Sequence, residues 1–374
     1  VLHLVETLDR GGLERVVVDL AVAQKQAGHH VAVCGLFRTG ALAPELTAAG
    51  IEAGSADKRA GLDLRAVWRV RRALAGHRAD VLHTHNAVAN YYGVLAVSMA
   101  ARARVVNTRH GMGAARRREP RERLFRASLW RTSVVATVCQ RAHDHLVAER
   151  IVPRRLVRVV PNGIRVDAFV HGSAAARAAA RARRDVPATA LLVGTVGRLS
   201  EAKDHALLVD AFARLAARRP DARLVVVGAG DRHAALADQV DRLGLRAAVQ
   251  LTGDRVDVPA LLPAFDLFAL TSLTEGYSIA LLEAAATGLP AVTTDVGGNR
   301  EIVQDGVTGL VVADRSPEAF AQALDGLAGA PDVRERMGRQ ARRWVEAHGR
   351  VDAMARRYEA AYAAGPVDGA GGPA

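Results

Sequence analysis

Short apolar runs alternate along the chain with longer stretches whose apolar positions recur at helical spacing. The runs fall at 1–5, 31–37, 80–85, 105–110, 134–138 and 157–160, and again at 190–196, 223–227, 249–251, 267–271 and 291–294. Each is four to eight residues long or nearly so and rich in Val and Leu, the signature of strands buried on both faces. Between them, 13–27, 64–74, 140–150, 204–215, 259–264 and 278–287 read as helices, followed by 318–327, 333–348 and 352–363. The segments 301–303 and 305–312 are expected to complete the last sheet. Strand–helix alternation of this kind predicts α/β architecture with parallel sheets, here two doubly wound Rossmann-like domains. The first spans 1–165 and the second 188–349; 166–187, Ala/Arg-rich and weakly patterned, is expected to link them. The last residues, 364–374, are expected to be a disordered tail.

A chain of 374 residues can bury two cores of ordinary size. The formal net charge of +12 favours polyanions or diphosphate-bearing substrates. Aromatic residues make up only 4%, which argues against a base-stacking surface, so no nucleic-acid partner is expected. Cys34 and Cys139 are far apart and outside any C-x-x-C, which implies a reducing compartment. With no signal-peptide pattern and no membrane-length apolar run, a cytoplasmic protein is expected, trimmed by a few residues before Val1. The stretch 114–131 is the most basic, seven Arg against two Glu, with Leu124, Phe125, Leu129 and Trp130 at helix-like spacing. Two readings stay open for it: contact with the inner face of an anionic plasma membrane, or a solvated helix whose apolar side packs inward.

The candidate chemistry concentrates at strand ends, with 272–299 at its centre. An apolar strand runs out at Thr271, and a loop carries Glu275 and Gly276 before a helix that Gly288 and Pro290 terminate. If both were helical, Glu275 and Glu283 would lie on different faces at about 100° per residue. Glu275 on the loop and Glu283 in the early helix turns is the better geometry. Residues 279–286 are otherwise apolar, and a carboxylate in such a run is costly unless something binds it. Gly11-Gly12 between the first strand and helix reads equally as an anion site, because free N–H groups at a helix start point outward, or as a tight βα turn that needs Gly for packing. Gly197-Arg198 and Lys203 follow the first strand of the second half, offering a forked guanidinium and a point charge to phosphate. The same two cations could instead pair with Glu201 and Asp204. Gly228-Ala229-Gly230 lacks the third glycine and the acidic residue of a dinucleotide fingerprint. His83 and His85 alternate onto one strand face at a spacing metals use, but no third ligand type clusters nearby in sequence, so no metal site is expected. His110 ends a strand on the side where open α/β sheets bind ligands.

Glu275, seven residues and Glu283, within E-G-Y-S-I-A-L-L-E-A-A-A-T-G-L-P-A-V, resemble the E-x7-E signature of glycosyltransferase family 4. G-G-x-E at 11–14, G-R-L-x-x-x-K at 197–203 and V-P-N-G-I at 160–164 resemble the family's nucleotide loop, diphosphate grip and interdomain turn. The resemblance implies the GT-B fold: two Rossmann-like domains facing each other across a cleft, with the helix at about 350–363 crossing back onto the first. It implies retaining sugar transfer from a UDP- or GDP-sugar to a hydroxyl acceptor, lipid-linked or a cell-surface glycan precursor such as those of exopolysaccharide assembly. By the same resemblance Gly11, Gly12, Gly197, Arg198 and Lys203 hold the diphosphate, and Gly253, Asp254 and Arg255 lie over the base. Glu283 takes the ribose, and Glu275, Gly276, Tyr277 and Ser278 take the sugar, with His110 beside donor and acceptor. Ser278 stands where many relatives have Gly, which leaves the donor open. No D-x-D occurs in the chain, so neither a metal nor any other cofactor is expected, and the protein's own cations must meet the leaving charge. A phosphorylase or epimerase, a nicotinamide-dependent oxidoreductase and a non-catalytic basic binding protein remain rivals. The oxidoreductase is disfavoured because G-G-L-E-R does not supply G-x-G-x-x-G.

Overall fold

The computed structural model describes residues 1–98, 103–112, 120–183, 186–187 and 189–364. The chain forms two compact units, Val1–Gly163 with Val351–Ala374, and Ile164–Arg350. In the first, β1 (Leu2–Val5), α1 (Gly12–Gln26), β2 (Ala32–Gly35), α2 (Ala43–Ala48), β3 (Glu52–Ser55), α3 (Leu64–Gly76), β4 (Val81–His85), α4 (Asn86–Ser98) and β5 (Arg104–Arg109) come in order. They are followed by α5 (Pro120–Ser128), β6 (Thr132–Thr137), α6 (Gln140–Ala148) and β7 (Val157–Val159). The seven strands make one parallel sheet in the order β3-β2-β1-β4-β5-β6-β7.

The core follows from strand parity, since successive side chains point to opposite faces. Leu2, Leu4, Ala32, Cys34 and Leu82 enter one apolar cluster with Val67, Val70 and Tyr92. Val5, Val31 and Val33 enter another with Val17, Val18 and Ala21 of α1. Both cysteines are buried and outside any disulfide among the described residues, and burial pushes the Cys34 thiol up to about 12.

The second unit runs α7 (Ala174–Ala182), β8 (Leu192–Val196), α8 (His205–Arg218), β9 (Arg223–Val227), α9 (His233–Arg242), β10 (Val249–Leu251), α10 (Val258–Leu261) and β11 (Leu267–Leu270). It continues with α11 (Ile279–Thr287), β12 (Ala291–Thr294), α12 (Asn299–Ile302), β13 (Gly309–Val312), α13 (Pro317–Ala328) and α14 (Pro331–His348). Its six parallel strands are ordered β10-β9-β8-β11-β12-β13 around a core containing Leu208, Phe212, Leu224, Val226, Val292 and Phe320. The last helix, α15 (Val351–Ala363), belongs to the first unit, where Met354, Ala355, Tyr358, Ala361 and Tyr362 are buried.

Several expectations need correction. The stretch 166–187 is an integral part of the second unit: the Arg181 guanidinium is buried, bonding the carbonyls of Ala264 and Ala190 and the Asp266 carboxylate. Glu301 lies in α12 rather than in the sheet, and only Gly309–Val312 of 305–312 is strand. Four elements escaped the sequence reading, α2, β3, α4 and α9. β3 is an edge strand with no fully buried residue, and α4 is apolar almost all round, so neither has a clear period. The expected tail lies, apart from Ala364, outside the described residues.

Candidate functional site

In a doubly wound sheet, ligands bind beyond the carboxyl ends of the strands where the order reverses. In the second unit that switch falls between β8 and β11. The loop after β8 carries Gly197, Arg198 and Lys203, and the loop after β11 carries Glu275 to Ser278. The Lys203 ammonium bonds the Glu275 carboxylate, which also accepts from Ser272 Oγ at 2.7 Å. The Glu275 side chain is only 9% exposed, so the two charges neutralise each other in a largely desolvated place. Lys203 thus pairs with neither Glu201 nor Asp204; Asp204 takes Arg315 at 2.5 Å, and Arg232 stands 3.6 Å from Glu201. Arg198 is exposed, and among the described residues its side chain has no ion pair or hydrogen bond.

Two glycines explain how these loops are seated. Gly228 has φ +144°, and a Cβ there would stand 1.9 Å from the Gly197 carbonyl oxygen. With Gly197 N–H donating to Val227 O and Leu199 N–H to Ala229 O, the Gly228-Ala229-Gly230 turn is a packing surface for the Arg198 loop. Gly297 has φ +52°, and a Cβ there would lie 1.9 Å from the Glu275 carbonyl oxygen. Gly298 N–H donates to Gly276 O at 2.8 Å, holding the same loop.

Ser278 caps α11, its Oγ accepting from Leu281 N–H at 3.4 Å, and Tyr277 beside it is buried. Glu283 is half-buried in the second turn of α11. Gly253 (φ +71°) accepts from Gly228 N–H; Asp254 and Arg255 are exposed, and Arg255 is forked onto Asp257 at 2.7 and 2.8 Å.

In the first unit the switch lies between β1 and β4. After β1, Gly11 is the N-cap of α1 with no side-chain cap, so the opening N–H groups of the helix are left to a ligand or solvent. After β4, Asn86 adopts φ +67°, and its Oδ1 accepts from His110 N–H at 3.2 Å, tying the end of β5 to the end of β4. His110 is half-buried, its Nε2 2.9 Å from His85 Nδ1 and its Nδ1 buried without a partner among the described residues.

His83 and His85 do have a third histidine. His3 pairs with His83 in the β1–β4 register, and the three offer nitrogens within 4.8 Å of one another, all buried. Nothing in the sequence brings residue 3 beside residue 83; strand pairing does. Each of their ring nitrogens is already engaged. His3 Nε2 lies 2.8 Å from Gln24 Oε1 and its Nδ1 3.1 Å from His85 Nε2. His83 lies between Tyr362 OH at 2.8 Å and Thr108 Oγ1 at 2.7 Å. The cluster is a hydrogen-bonded network, and burial depresses the basicity of all of it, His3 to about 4 and His110 to about 3. Gln24, His3, Thr108, Tyr358 and Tyr362 were not singled out from the sequence.

Of the basic stretch, Pro120 onward is described. Glu122 and Phe125 are buried, Glu122 accepting from Arg109 at 2.7 Å, while Leu124 and Trp130 are exposed. Residues 114–119 lie outside the described residues. Among the described residues, no helix is long and apolar enough to cross a membrane.

Two family models match: "Glycosyltransferase Family 4" over 10–168 and "Glycosyl transferases group 1" over 177–344. The D-inositol 3-phosphate glycosyltransferase of Streptomyces avermitilis is 30% identical, with 93% of this chain and 82% of the relative aligned. Its counterpart from Frankia alni is 31% identical over 88% of this chain and 89% of that protein. Among solved structures, Anabaena Alr3699/HepE in complex with UDP superposes with a TM-score of 0.85 at 23% identity, covering 96% of this chain and 98% of that one. The lipopolysaccharide-biosynthesis glycosyltransferase WaaG gives 0.78 at 20% identity, over 98% and 100%. With two parallel-sheet units, a switch point in each, and family models covering nearly the whole length, the chain belongs to the family 4-type glycosyltransferases of GT-B fold.

Proposed function

We propose that the protein transfers a hexosyl group, with retention, from a UDP- or GDP-sugar to a hydroxyl of a lipid-linked or cell-surface glycan precursor, without a metal. The observation that carries this is the switch-point arrangement of the second unit, an unpaired Arg198 beside a Lys203–Glu275 pair held by Ser272. As the glycosidic bond breaks, negative charge grows on the departing diphosphate. Fixed cations and N–H groups at a strand's carboxyl end stabilise that charge without reorganising. Lys203 and Arg198 supply the cations, and the uncapped start of α1 at Gly11 and Gly12 supplies N–H donors. Glu275 orients the sugar, Glu283 accepts the ribose hydroxyls, and His110 accepts from a substrate hydroxyl. The loop of Gly253, Asp254 and Arg255 covers the base. UDP in the Anabaena neighbour, and the UDP-glucose complex of the same protein, support a nucleotide-sugar donor. The exposed Leu124 and Trp130, in a segment rich in arginine, support peripheral contact with an anionic membrane on the cytoplasmic side.

A second reading of the acceptor is favoured by the names of the relatives: an inositol phosphate. The test is a transfer assay with UDP- and GDP-sugars, metal-free and with Mg²⁺ added, offering 1-D-myo-inositol 3-phosphate or a polyprenyl-linked saccharide. The expected result is metal-independent transfer to one acceptor class. The Arg198→Ala/Lys203→Ala double variant should fall by at least roughly a hundredfold in turnover. Glu283→Ala should weaken nucleotide binding in titration calorimetry. Unchanged turnover in the double variant ends this account of leaving-group stabilisation.

A further inference from the structure

The network around His110 has a direction, and its direction has a chemical consequence. A neutral imidazole has one N–H and one lone pair. A row of rings bonded nitrogen to nitrogen must therefore carry all its protons on the same side. The row here runs from Gln24 Oε1 to His3 Nε2 at 2.8 Å, from His3 Nδ1 to His85 Nε2 at 3.1 Å, and from His85 Nδ1 to His110 Nε2 at 2.9 Å. The amide oxygen of Gln24 can only accept, so His3 carries its proton on Nε2. Its Nδ1 then accepts from His85 Nε2–H, and His85 Nδ1 accepts from His110 Nε2–H. His110 is left with a bare Nδ1, the one ring nitrogen of the row without a partner among the described residues.

The other arm agrees. Gln24 Nε2 donates to Tyr362 OH at 2.9 Å, and Tyr362 OH meets His83 Nδ1 at 2.8 Å. His83 Nε2 meets Thr108 Oγ1 at 2.7 Å, and Thr108 Oγ1 donates to Tyr358 OH at 3.0 Å. Tyr362 donating to His83, and His83 to Thr108, keeps every proton accounted for. One amide thus sets both arms: turned over, it would reverse every bond and leave His110 with an N–H at Nδ1.

We propose that Gln24 is a positioning residue that, through His3 and His85, fixes His110 as the Nε2–H tautomer, so that its Nδ1 acts as a hydrogen-bond acceptor toward a hydroxyl-bearing substrate. The role toward substrate rests on the transfer reaction proposed above; the tautomer does not. The row lies wholly within the first unit and joins β1, α1, β4 and the end of β5, and α15 closes its second arm.

Long-range ¹H–¹⁵N spectra of the full chain with ¹⁵N-histidine read the tautomers directly, each ring assigned by substitution. The expected result at neutral pH is an unprotonated Nδ1 and a protonated Nε2 at His110, and the same at His3 and His85. Gln24→Met removes both amide bonds and should let His110 populate both tautomers, with turnover falling roughly tenfold at little change in KM. Gln24→Glu, neutral when buried, keeps an acceptor toward His3 and a donor toward Tyr362, and should restore the wild-type spectrum. A protonated His110 Nδ1 in the wild-type protein overturns the proposal even if Gln24→Met does not fold. So does an unchanged tautomer in folded Gln24→Met, or stoichiometric zinc held by the histidines in the purified protein. The expected spectrum in a protein that transfers no sugar supports the relay and counts against the proposed reaction.

Discussion

His3 has no exposed surface, and its neutrality is part of what the fold requires. Burial lowers its proton affinity from an ordinary 6.5 to about 4, and His83 and His85 are held well below their usual value by the same cause and by one another. The unfolded chain binds these protons at about pH 6.5, and the native state does not. Stability from these groups is therefore fully present above about pH 6.5 and is lost as pH falls toward 4. Each such histidine adds about 1.4 kcal/mol per pH unit to the slope. Urea unfolding followed at several pH values between 7 and 5 should show this loss, and His3→Gln should flatten it by about one histidine's share. An equal slope in the variant would mean that His3 already titrates in the native state. The sequence displayed two of the cluster's histidines, because alternation along one strand is legible. It hid His3 and Gln24, because strand order and register are set by tertiary pairing that no local pattern encodes.

At the scale of elements, what the sequence made legible was punctuation. Gly288 and Pro290 end α11 as the spacing predicts, with Glu275 on a loop and Glu283 on the helix; Ser278, read as its first residue, is in fact its N-cap. The partner of Lys203 was not legible, since Glu275 is 72 residues away and meets it only because β8 and β11 are neighbours. Gly228-Ala229-Gly230, which lacks the dinucleotide fingerprint, shows in the structure what its glycines are for. The glycine pair is there to let one loop press on another. The Gly297 turn works in the same way on the Glu275 loop. Gly297→Ala is expected to cost roughly 2–4 kcal/mol in urea unfolding. Gly306→Ala is the control: φ is also positive, at +74°, but nothing lies within 4 Å, so only the backbone term of about 1–2 kcal/mol applies. Gly297→Ala should also reduce turnover by displacing Glu275, whereas Gly306→Ala should not. Equal costs at the two sites would show that the loop yields to a methyl group.

For the whole molecule, the order of the chain and the order of the domains differ. The first unit is finished by the last helix, after the chain has completed the second. Five side chains of α15 are buried there, and Tyr358 and Tyr362 bond Thr108, His83 and Gln24. The second unit, Ile164–Arg350, contains its own sheet and core and takes no strand from elsewhere. A chain cut after Arg350 is therefore expected to keep a cooperative second unit while the first loses the apolar cover of α1 and leaves His83, Gln24 and Thr108 without their tyrosine partners. Buried polar groups that lose their partners cost about 1–3 kcal/mol each, and several are affected at once. Limited proteolysis with mass spectrometry should find early cuts confined to residues before 164 in the truncated protein, with 164–350 resistant. Adding the 351–364 segment as a separate peptide should restore some resistance if docking of that helix, rather than chain continuity, is what the first unit needs. Uniform digestion of both units would show instead that the two fold as one cooperative body.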